Sequence, residues 1–447
     1  LRYFLFRNFR LVFSIDYWVR RHFTLAGLLV IGGLVAAAIF GIDTRQTVAY
    51  QLFSILFILL AVSIISNLRY RSVLKVERHL PAMVTVGESI TYSLTIKNAT
   101  KTWQRDITLF EDIAITPPDF HSFIHTRDPF ATQRNAIDNY IGYPRWVWLM
   151  QLSKGADIRP EVLPDLAPYD QKSVKISLTP LRRGYIYFTH SSLARPDPLG
   201  LFRSFSAQVH PDKLLILPKR YPLPKSNLFG GRRYQQGGVN LAQSVGDAEE
   251  ITALRDYRVG DPLRLIHWKS WAKTGKPIVK ELQEEFFIRH ALILDTFMED
   301  KYHPIFETAV SIAASFVAQP LSEESLLDLL FIGTESYHLT SGRGVDHTGH
   351  LLEVLSCVSP QQSHSVEHLN TILVPQLTQL SGCICVLLAW DKARQEFVKQ
   401  IQIAQAHSLI FVITDKDIKE ELVGFSHVYA ISTQNTAEEL AAIFAKF

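Results

Sequence analysis

Two uninterrupted apolar runs stand near the start of the chain. FTLAGLLVIGGLVAAAIFGI (residues 23–42) carries no charge, and VAYQLFSILFILLAVSIIS (residues 48–66) is nearly as apolar. Each is about as long as a helix needs to cross the hydrocarbon core of a bilayer, roughly 20 residues. Only residues 43–47 separate them, so residues 23–66 are expected to form a transmembrane helical hairpin. A cleavable signal peptide is the competing reading of the first run. The length of that run, the lack of a small-residue cleavage site behind it and the second run all argue against one. Residues 1–22 interleave Arg2, Arg7, Arg10, Arg20 and Arg21 with Tyr3, Phe4, Phe6, Phe9, Phe13, Tyr17 and Trp18. Such a basic amphipathic segment suits a helix lying in the membrane interface. Arg69, Arg71, Lys75 and Arg78 follow the second run, while Asp43 and Arg45 cancel in the loop. Positive charge collects on the cytoplasmic side of a membrane, which places both termini and all that follows the hairpin in the cytoplasm.

From Tyr70 the pattern changes to short alternating runs of period 2. SVLKVERHL, TVGESITYSLTIKNAT, KSVKISLTPLRRGYIYFTHSSL and KLLILPKRY alternate or run apolar between turn residues. Residues 67–218 are therefore expected to form an antiparallel β-sandwich of immunoglobulin-like type. An insertion at about residues 116–167 interrupts it, rich in Pro and carrying Tyr140, Tyr143, Trp146 and Trp148. Packing onto the sandwich, and contact with lipid or a partner, are both open for this piece. Residues 219–289 read as a connector followed by a dense polar and aromatic stretch. Gly230, Gly231, Gly237 and Gly238 surround Arg232 and Arg233 in the connector. Without a preceding strand, a Lys-Ser/Thr pair and a following helix, they do not make a phosphate loop. Over residues 290–447 apolar strands such as HALILDT, CICVLLAW and LIFVITD alternate with amphipathic helices. That is the pattern of a doubly wound α/β sheet. Ligands on such sheets bind beyond the carboxyl ends of the strands, which nominates an edge carrying Asp295, Thr334, Asp391 and Asp415.

Composition narrows this picture. A chain of 447 residues exceeds one ordinary core, so two or three domains are expected. A net charge of +3, with Lys and Arg dispersed after the first eighty residues, argues against a nucleic-acid binder. The three cysteines, Cys357, Cys383 and Cys385, offer no disulfide framework and no zinc set. Free thiols in a reducing compartment fit the cytoplasmic placement.

The densest chemistry lies in LRDYRVGDPLRLIHWKSWAKTGKPIVKELQEEF, residues 254–286. Arg255, Arg258, Arg264, Lys269 and Lys273 stand among Tyr257, Trp268 and Trp271, with Asp256 and Asp261 between them. Gly260, Asp261 and Pro262 read as a loop closing onto a helix start, with Asp261 as its cap. The helix is expected to run to about Lys273 and to stop at Gly275, before Pro277. Arg264, His267, Trp268 and Trp271 would then share one face, either as a docking surface or as a structural network.

This stretch resembles the signature of domain-of-unknown-function family 58, bacterial membrane proteins often encoded beside MoxR-type AAA+ ATPases. Leu254, Arg255, Tyr257, Gly260, Asp261, Arg264, Ile266, His267, Trp268 and Ala272 carry the match. A second match lies in RRGYIYFTHSSLARPDPLGLFRSF, through Arg183, Gly184, Asp197, Pro198, Gly200, Leu201 and Phe202. The resemblance implies a multi-pass protein of the bacterial plasma membrane and a MoxR-type ATPase as partner. It also implies a von Willebrand factor A-like fold for residues 290–447. That fold can hold a divalent cation through an Asp-x-Ser-x-Ser loop, but here Phe297 and Glu299 follow Asp295 at the serine positions. Phe297 has no oxygen to offer a hard cation. Asp295, Glu299 and Asp300 are thus weak metal candidates, and no metal or other cofactor is expected. No nucleophile elbow, His-Glu-x-x-His or Walker motif is present. The leading expectation is a non-enzymatic scaffold or adaptor. The alternative is a membrane-bound, hydrolase-like enzyme whose site holds Arg258, Asp261 and His267 against the Asp295 edge.

Overall fold

Three helices open the chain in the computed structural model: α1 (Arg2–His22), α2 (Leu25–Phe40) and α3 (Thr47–Asn67). The structure describes residues 2–40, 47–67, 74–224, 251–282 and 288–446, apart from 127, 129, 132–133, 299, 301, 319–324, 333–335, 342–344, 362–365, 367–379, 381, 404–406 and 419. Among the described residues one helix is long and apolar enough to cross a membrane, Val48–Ser66 within α3, and hardly any of it is buried. The apolar helix α2 is shorter, at 16 residues, and at ~1.5 Å per residue falls short of the ~30 Å hydrocarbon core. A Cβ on Gly33 would stand 3.3 Å from Leu56 Cδ1, so the two helices pack closely. The hairpin loop carrying Asp43 and Arg45 lies outside the described residues, as do Arg69, Arg71 and the Gly-rich connector at 225–250.

Nine strands follow: β1 (Leu74–His79), β2 (Met83–Thr85), β3 (Ile90–Asn98), β4 (Thr108–Ile113), β5 (Ala156–Ile158), β6 (Glu161–Val162), β7 (Gln171–Pro180), β8 (Gly184–Pro196) and β9 (Arg203–Leu217). They form two sheets, ordered β1-β3-β7-β5 and β2-β9-β8-β4-β6. Inward residues of both, among them Leu94, Ile96, Ile176, Leu109 and Phe188, share one apolar cluster. On β1 the inward positions are Leu74, Val76 and Arg78. Arg78 is therefore not a free charge flanking a membrane span. It is buried over the Phe188 ring and bonds Glu111 at 2.8 Å and Asp212 at 2.7 Å.

The insertion folds as helices α4 (Phe120–His125), α5 (Ala136–Ile141) and α6 (Tyr143–Lys154). Trp146 is buried, with Phe123, Leu149 and Met150, against Phe6 and Phe9 of α1. Tyr143, Trp146 and Trp148 of this piece thus pack in one cluster with the N-terminal helix, while Tyr140 is exposed.

A hairpin-like pair, β10 (Ile251–Asp256) and β11 (Ile278–Leu282), encloses a 3-10 turn at Leu263–Leu265 and helix α7 (Trp268–Thr274). The last region holds β12 (Ile288–Leu294), β13 (Ser325–Ile332), β14 (Ser336–Ser341), β15 (Gly382–Leu387), β16 (His407–Ile413) and β17 (Val428–Ile431). Its helices are α8 (Pro304–Ala318), α9 (Val345–Cys357), α10 (Lys392–Ile403) and α11 (Thr436–Phe444). The strands form one sheet, ordered β14-β13-β12-β15-β16-β17, parallel except for the edge strand β14. Every residue of β15 is buried, as expected of a parallel strand covered on both faces. One face packs on α8, α9 and α11, and the other on α10 with Cys383 and Cys385 in the same cluster. Leu215, Leu217 and Leu223 join the α8 side of this core, so the paired sheets and the α/β region are continuous through it.

Candidate functional site

The β10–β11 pair has a very small core, Ile266 and Val279, which are buried and bridge each other. Around it the signature residues divide between scaffold and surface. Asp261 does not cap a helix. Its carboxylate accepts two bonds from Arg255, at 2.7 and 2.8 Å, and one from the Arg258 amide at 2.8 Å. The Arg255 bonds, then the Arg258 amide, pull its pKa down to about 2. These contacts close the turn in which Gly260 takes φ +111°, a conformation open to Gly and strained for other residues.

The expected helix from Pro262 to Lys273 is broken. Leu263–Leu265 is a 3-10 turn, Ile266 is extended, and α7 starts only at Trp268. The His267 amide bonds the Ile278 carbonyl, which pins the break to β11. Arg264 therefore sits on a different element from Trp268 and Trp271, and the four-residue helix face is not formed. The His267 ring bonds Ser270 Oγ at 2.6 Å, so the residue starts α7. The stop is as expected, with Gly275 left-handed at φ 70°.

α7 buries none of its residues. Trp268 is 64% exposed and stacks on Trp271, ring centroids 5.3 Å apart and 20° from parallel. Leu254, Val259 and Leu263 are exposed on the same module, as are Arg258, Arg264, Lys269 and Lys273. Tyr257 is half-buried, its amide bonded to the Pro277 carbonyl.

At the strand edge, Asp295 is completely buried. Its carboxylate accepts from the amides of Phe297 and Leu388, each at 3.0 Å, and from Arg394 Nε at 2.6 Å. Arg394 also bonds Asp391 and the Phe297 carbonyl. Burial works against its charge, but Asp295 and then Asp391 outweigh it and raise the pKa. A guanidinium thus satisfies the acid that a cation would need, and Asp300 caps its own turn by accepting from the Tyr302 amide. The described donors, Asp295 and Asp300, are thus already committed to protein partners. Glu299 and Thr334 lie outside the described residues, and Asp415 accepts from Thr433 on an exposed loop. Asp261 is held by Arg255, and Asp295 by Arg394. A cavity of about 270 Å³ opens elsewhere, lined by Arg182, Arg183, Tyr185, Tyr187, Tyr302 and Glu307.

Arg394 was not legible as a site residue, because 99 positions separate it from Asp295. The role of the upstream motif is visible only in the fold. Arg183, on the approach to β8, bonds the carbonyls of Leu355 and Val358 and pairs with Glu307. Asp197 accepts from the amides of Leu199, Leu201 and Phe202, shaping a turn with Gly200 at φ +67°. Thr24 then bonds the carbonyls of that turn, and Phe23 packs on Phe202. The motif joins the paired sheets to the α/β region at one end and to α1 and α2 at the other.

Residues 253–440 match the family model "Protein of unknown function DUF58". The stretch from Arg183 to Phe202 lies outside those residues. "Uncharacterized protein YeaD" of Bacillus subtilis (strain 168) is 25% identical over 224 residues, 48% of this chain and 54% of its own. The chain therefore spans about half the length of this curated relative. Among solved structures, trypsin-activated alpha-2-macroglobulin from Escherichia coli is 10% identical at a TM-score of 0.19, over 33% of this chain and 8% of that one. The ASH/PapD-like domain of human CEP192 is 13% identical at a TM-score of 0.18, over 33% of this chain and 84% of that one. At such TM-scores neither likeness bears on the fold.

Proposed function

We propose, taking the match of residues 253–440 to a family without assigned activity as the premise, that this protein is a membrane-anchored scaffold or adaptor that docks a protein partner through the module between β10 and β11. The observation that carries the reading is the exposed Trp268 ring, stacked on the half-buried Trp271. A helix that served only to complete a fold would bury a ring like that of Trp268, since it represents a large apolar area. Leu254, Val259 and Leu263 extend the apolar surface, and Arg258, Arg264, Lys269 and Lys273 surround it with positive charge. Trp and Arg are the commonest energetic anchors of protein interfaces. The partner is then an acidic surface with apolar recesses, and the resemblance nominates a MoxR-type AAA+ ATPase. The work served is assembly, maturation or stress handling of envelope proteins.

The exposed apolar length of α3 supports anchoring in a membrane. In this reading α2 completes a multi-pass hairpin in the bacterial plasma membrane, with both termini cytoplasmic. The paired sheets are an immunoglobulin-like sandwich, and the α/β region is a von Willebrand factor A-like domain without its cation.

The test is paired melting curves and pull-downs on four variants. Asp261→Ala and Gly260→Val remove the bonds and the backbone freedom that shape the module, and should lower stability together with binding. Trp271→Ala and Arg264→Ala should melt near the parent and lose the co-purifying partner, with truncation costing roughly 2 kcal/mol or more of binding. If these two unfold the protein as badly as the first two, the face is structural and the docking reading fails.

A further inference from the structure

Helix α1 has two apolar faces, and among the described residues only one of them packs against the rest of the protein. Phe6, Phe9 and Phe13 fall three and four residues apart and meet the insertion, Phe6 edge-on to Trp146 at 5.0 Å and Phe9 against Tyr143 at 5.4 Å. Phe4, Leu11, Ile15 and Trp18, at steps of seven, four and three, form a second stripe around the helix. All four are exposed.

The surroundings of this stripe indicate what covers it. Arg20 and Arg21 are paired with Asp16 and Asp112, the latter at 2.6 and 2.7 Å. Arg7 and Arg10, beside the outer stripe, are exposed. At its far end α1 breaks at Phe23 and Thr24, whose backbone and hydroxyl bond the Asp197 turn. The chain then enters α2, where Leu25, Leu29 and Ile39 are exposed in turn. The uncovered stripe thus leads along the chain into the exposed apolar residues of the helices assigned to the membrane, and the exposed Arg7 and Arg10 flank it. An interfacial helix has this arrangement, apolar residues below the headgroups and arginines among them.

We infer that α1 lies flat in the phospholipid headgroup layer, Phe4, Leu11, Ile15 and Trp18 facing the acyl chains, and that its opposite face seats the insertion and with it the soluble body. The inference rests on the membrane-anchored half of the proposed function and not on the partner. α1 is then a strut between two surfaces. Its outer stripe is held by lipid, its inner phenylalanines hold Phe123 and Trp146, and the Arg21–Asp112 pair fixes the paired sheets to the same helix.

The full chain, carrying Cys357→Ser and one cysteine at a time, is reconstituted in phosphatidylcholine–phosphatidylglycerol nanodiscs and spin-labelled. Immersion depth is read from the accessibility of each label to oxygen and to a water-soluble nickel complex. Leu11→Cys and Ile15→Cys test α1, Ile58→Cys tests α3, and Val209→Cys reports the soluble face. All four positions are exposed, so folding is preserved and is checked by melting. Equal, shallow depths at Leu11 and Ile15, between those of Ile58 and Val209, are expected. Nickel access at Leu11 equal to that at Val209 overturns the inference and, with Ile58 still deep, leaves anchoring intact. A difference of ~6 Å between Leu11 and Ile15 would make α1 a transmembrane extension and overturn it too. Spin–spin broadening at both α1 sites would assign the stripe to a second copy. Nickel access at Ile58 would overturn anchoring itself and the inference with it.

Discussion

Arg394 reaches from α10 to the carboxylate of Asp295 and on to Asp391 and the Phe297 carbonyl. In the sequence, Phe297 and Glu299 were enough to weaken the case for a cation, but nothing identified what neutralises a fully buried acid. Asp295 reads from the pattern because it ends an apolar strand. Arg394 reads as an ordinary charge on a helix surface, since only folding brings it across to β12. Removing one partner of a buried pair leaves the other charged and unsolvated, at a cost of about 3–5 kcal/mol. Arg394→Met should destabilise the protein by that order in chemical denaturation, and adding Asp295→Asn should recover much of the loss. Calorimetry on the parent should show no micromolar magnesium or manganese binding, because each Asp295 oxygen already accepts a protein donor. An Arg394→Met variant as stable as the parent, or tight magnesium binding abolished by Asp295→Ala, would refute this account.

Elements with a strong single period were legible, and elements fixed by long-range bonds were not. β1, β15 and β16 follow from alternation or from continuous apolar runs, and α8 from its periodicity between Pro304 and the chain beyond it. The expected helix after Pro262 is broken by β11, of which the local pattern carries no sign. The bond from the His267 amide to the Ile278 carbonyl, and the Ile266–Val279 bridge, cost the helix its first turns. The edge strand β14 has no legible pattern because its sequence, SYHLTS, is largely polar. Gly27 is a further case, one of four glycines in an apolar run that reads as simple membrane composition. In the structure a Cβ there would stand 2.1 Å from the Leu201 carbonyl oxygen. Gly27→Ala must push α2 off the Asp197 turn, an overpacking that costs typically about 1–3 kcal/mol. Gly33→Ala meets only the tip of Leu56 and should be milder. Thermal melting in nanodiscs and proteolysis of the turn at residues 197–202 compare the two, and equal behaviour would show that the α2–turn contact is not tight.

At the scale of the whole chain, period and composition separate the paired sheets from the α/β region as if each had its own core. The structure joins them. Leu215 and Leu217 at the end of β9, and Leu223 beyond it, lie in the cluster built by α8, α9 and β12. The Tyr221 amide bonds Ser315 Oγ on α8 at 2.8 Å, and Tyr185 donates to Glu353 on α9. Arg183 is the most heavily committed residue of this junction. Its guanidinium lies over the Phe306 ring, pairs with Glu307, and bonds the carbonyl of Val358 at 2.6 Å and that of Leu355 at 3.3 Å. An arrangement in which one region supplies part of the other's core should not unfold in two independent steps, since exposing Leu215 and Leu217 uncovers the face of α8. The protein in nanodiscs is therefore expected to show one calorimetric transition for both regions. Arg183→Met keeps apolar bulk near Phe306 but deletes charged bonds to the two carbonyls, each worth about 1.5–3 kcal/mol. It should lower that single transition and raise proteolysis at residues 218–224, while Arg105→Met, which removes an exposed pair with Asp165, should leave both unchanged. Two resolved transitions in the parent, with Arg183→Met shifting neither, would show that the regions are separate bodies and that the shared leucines do not couple them.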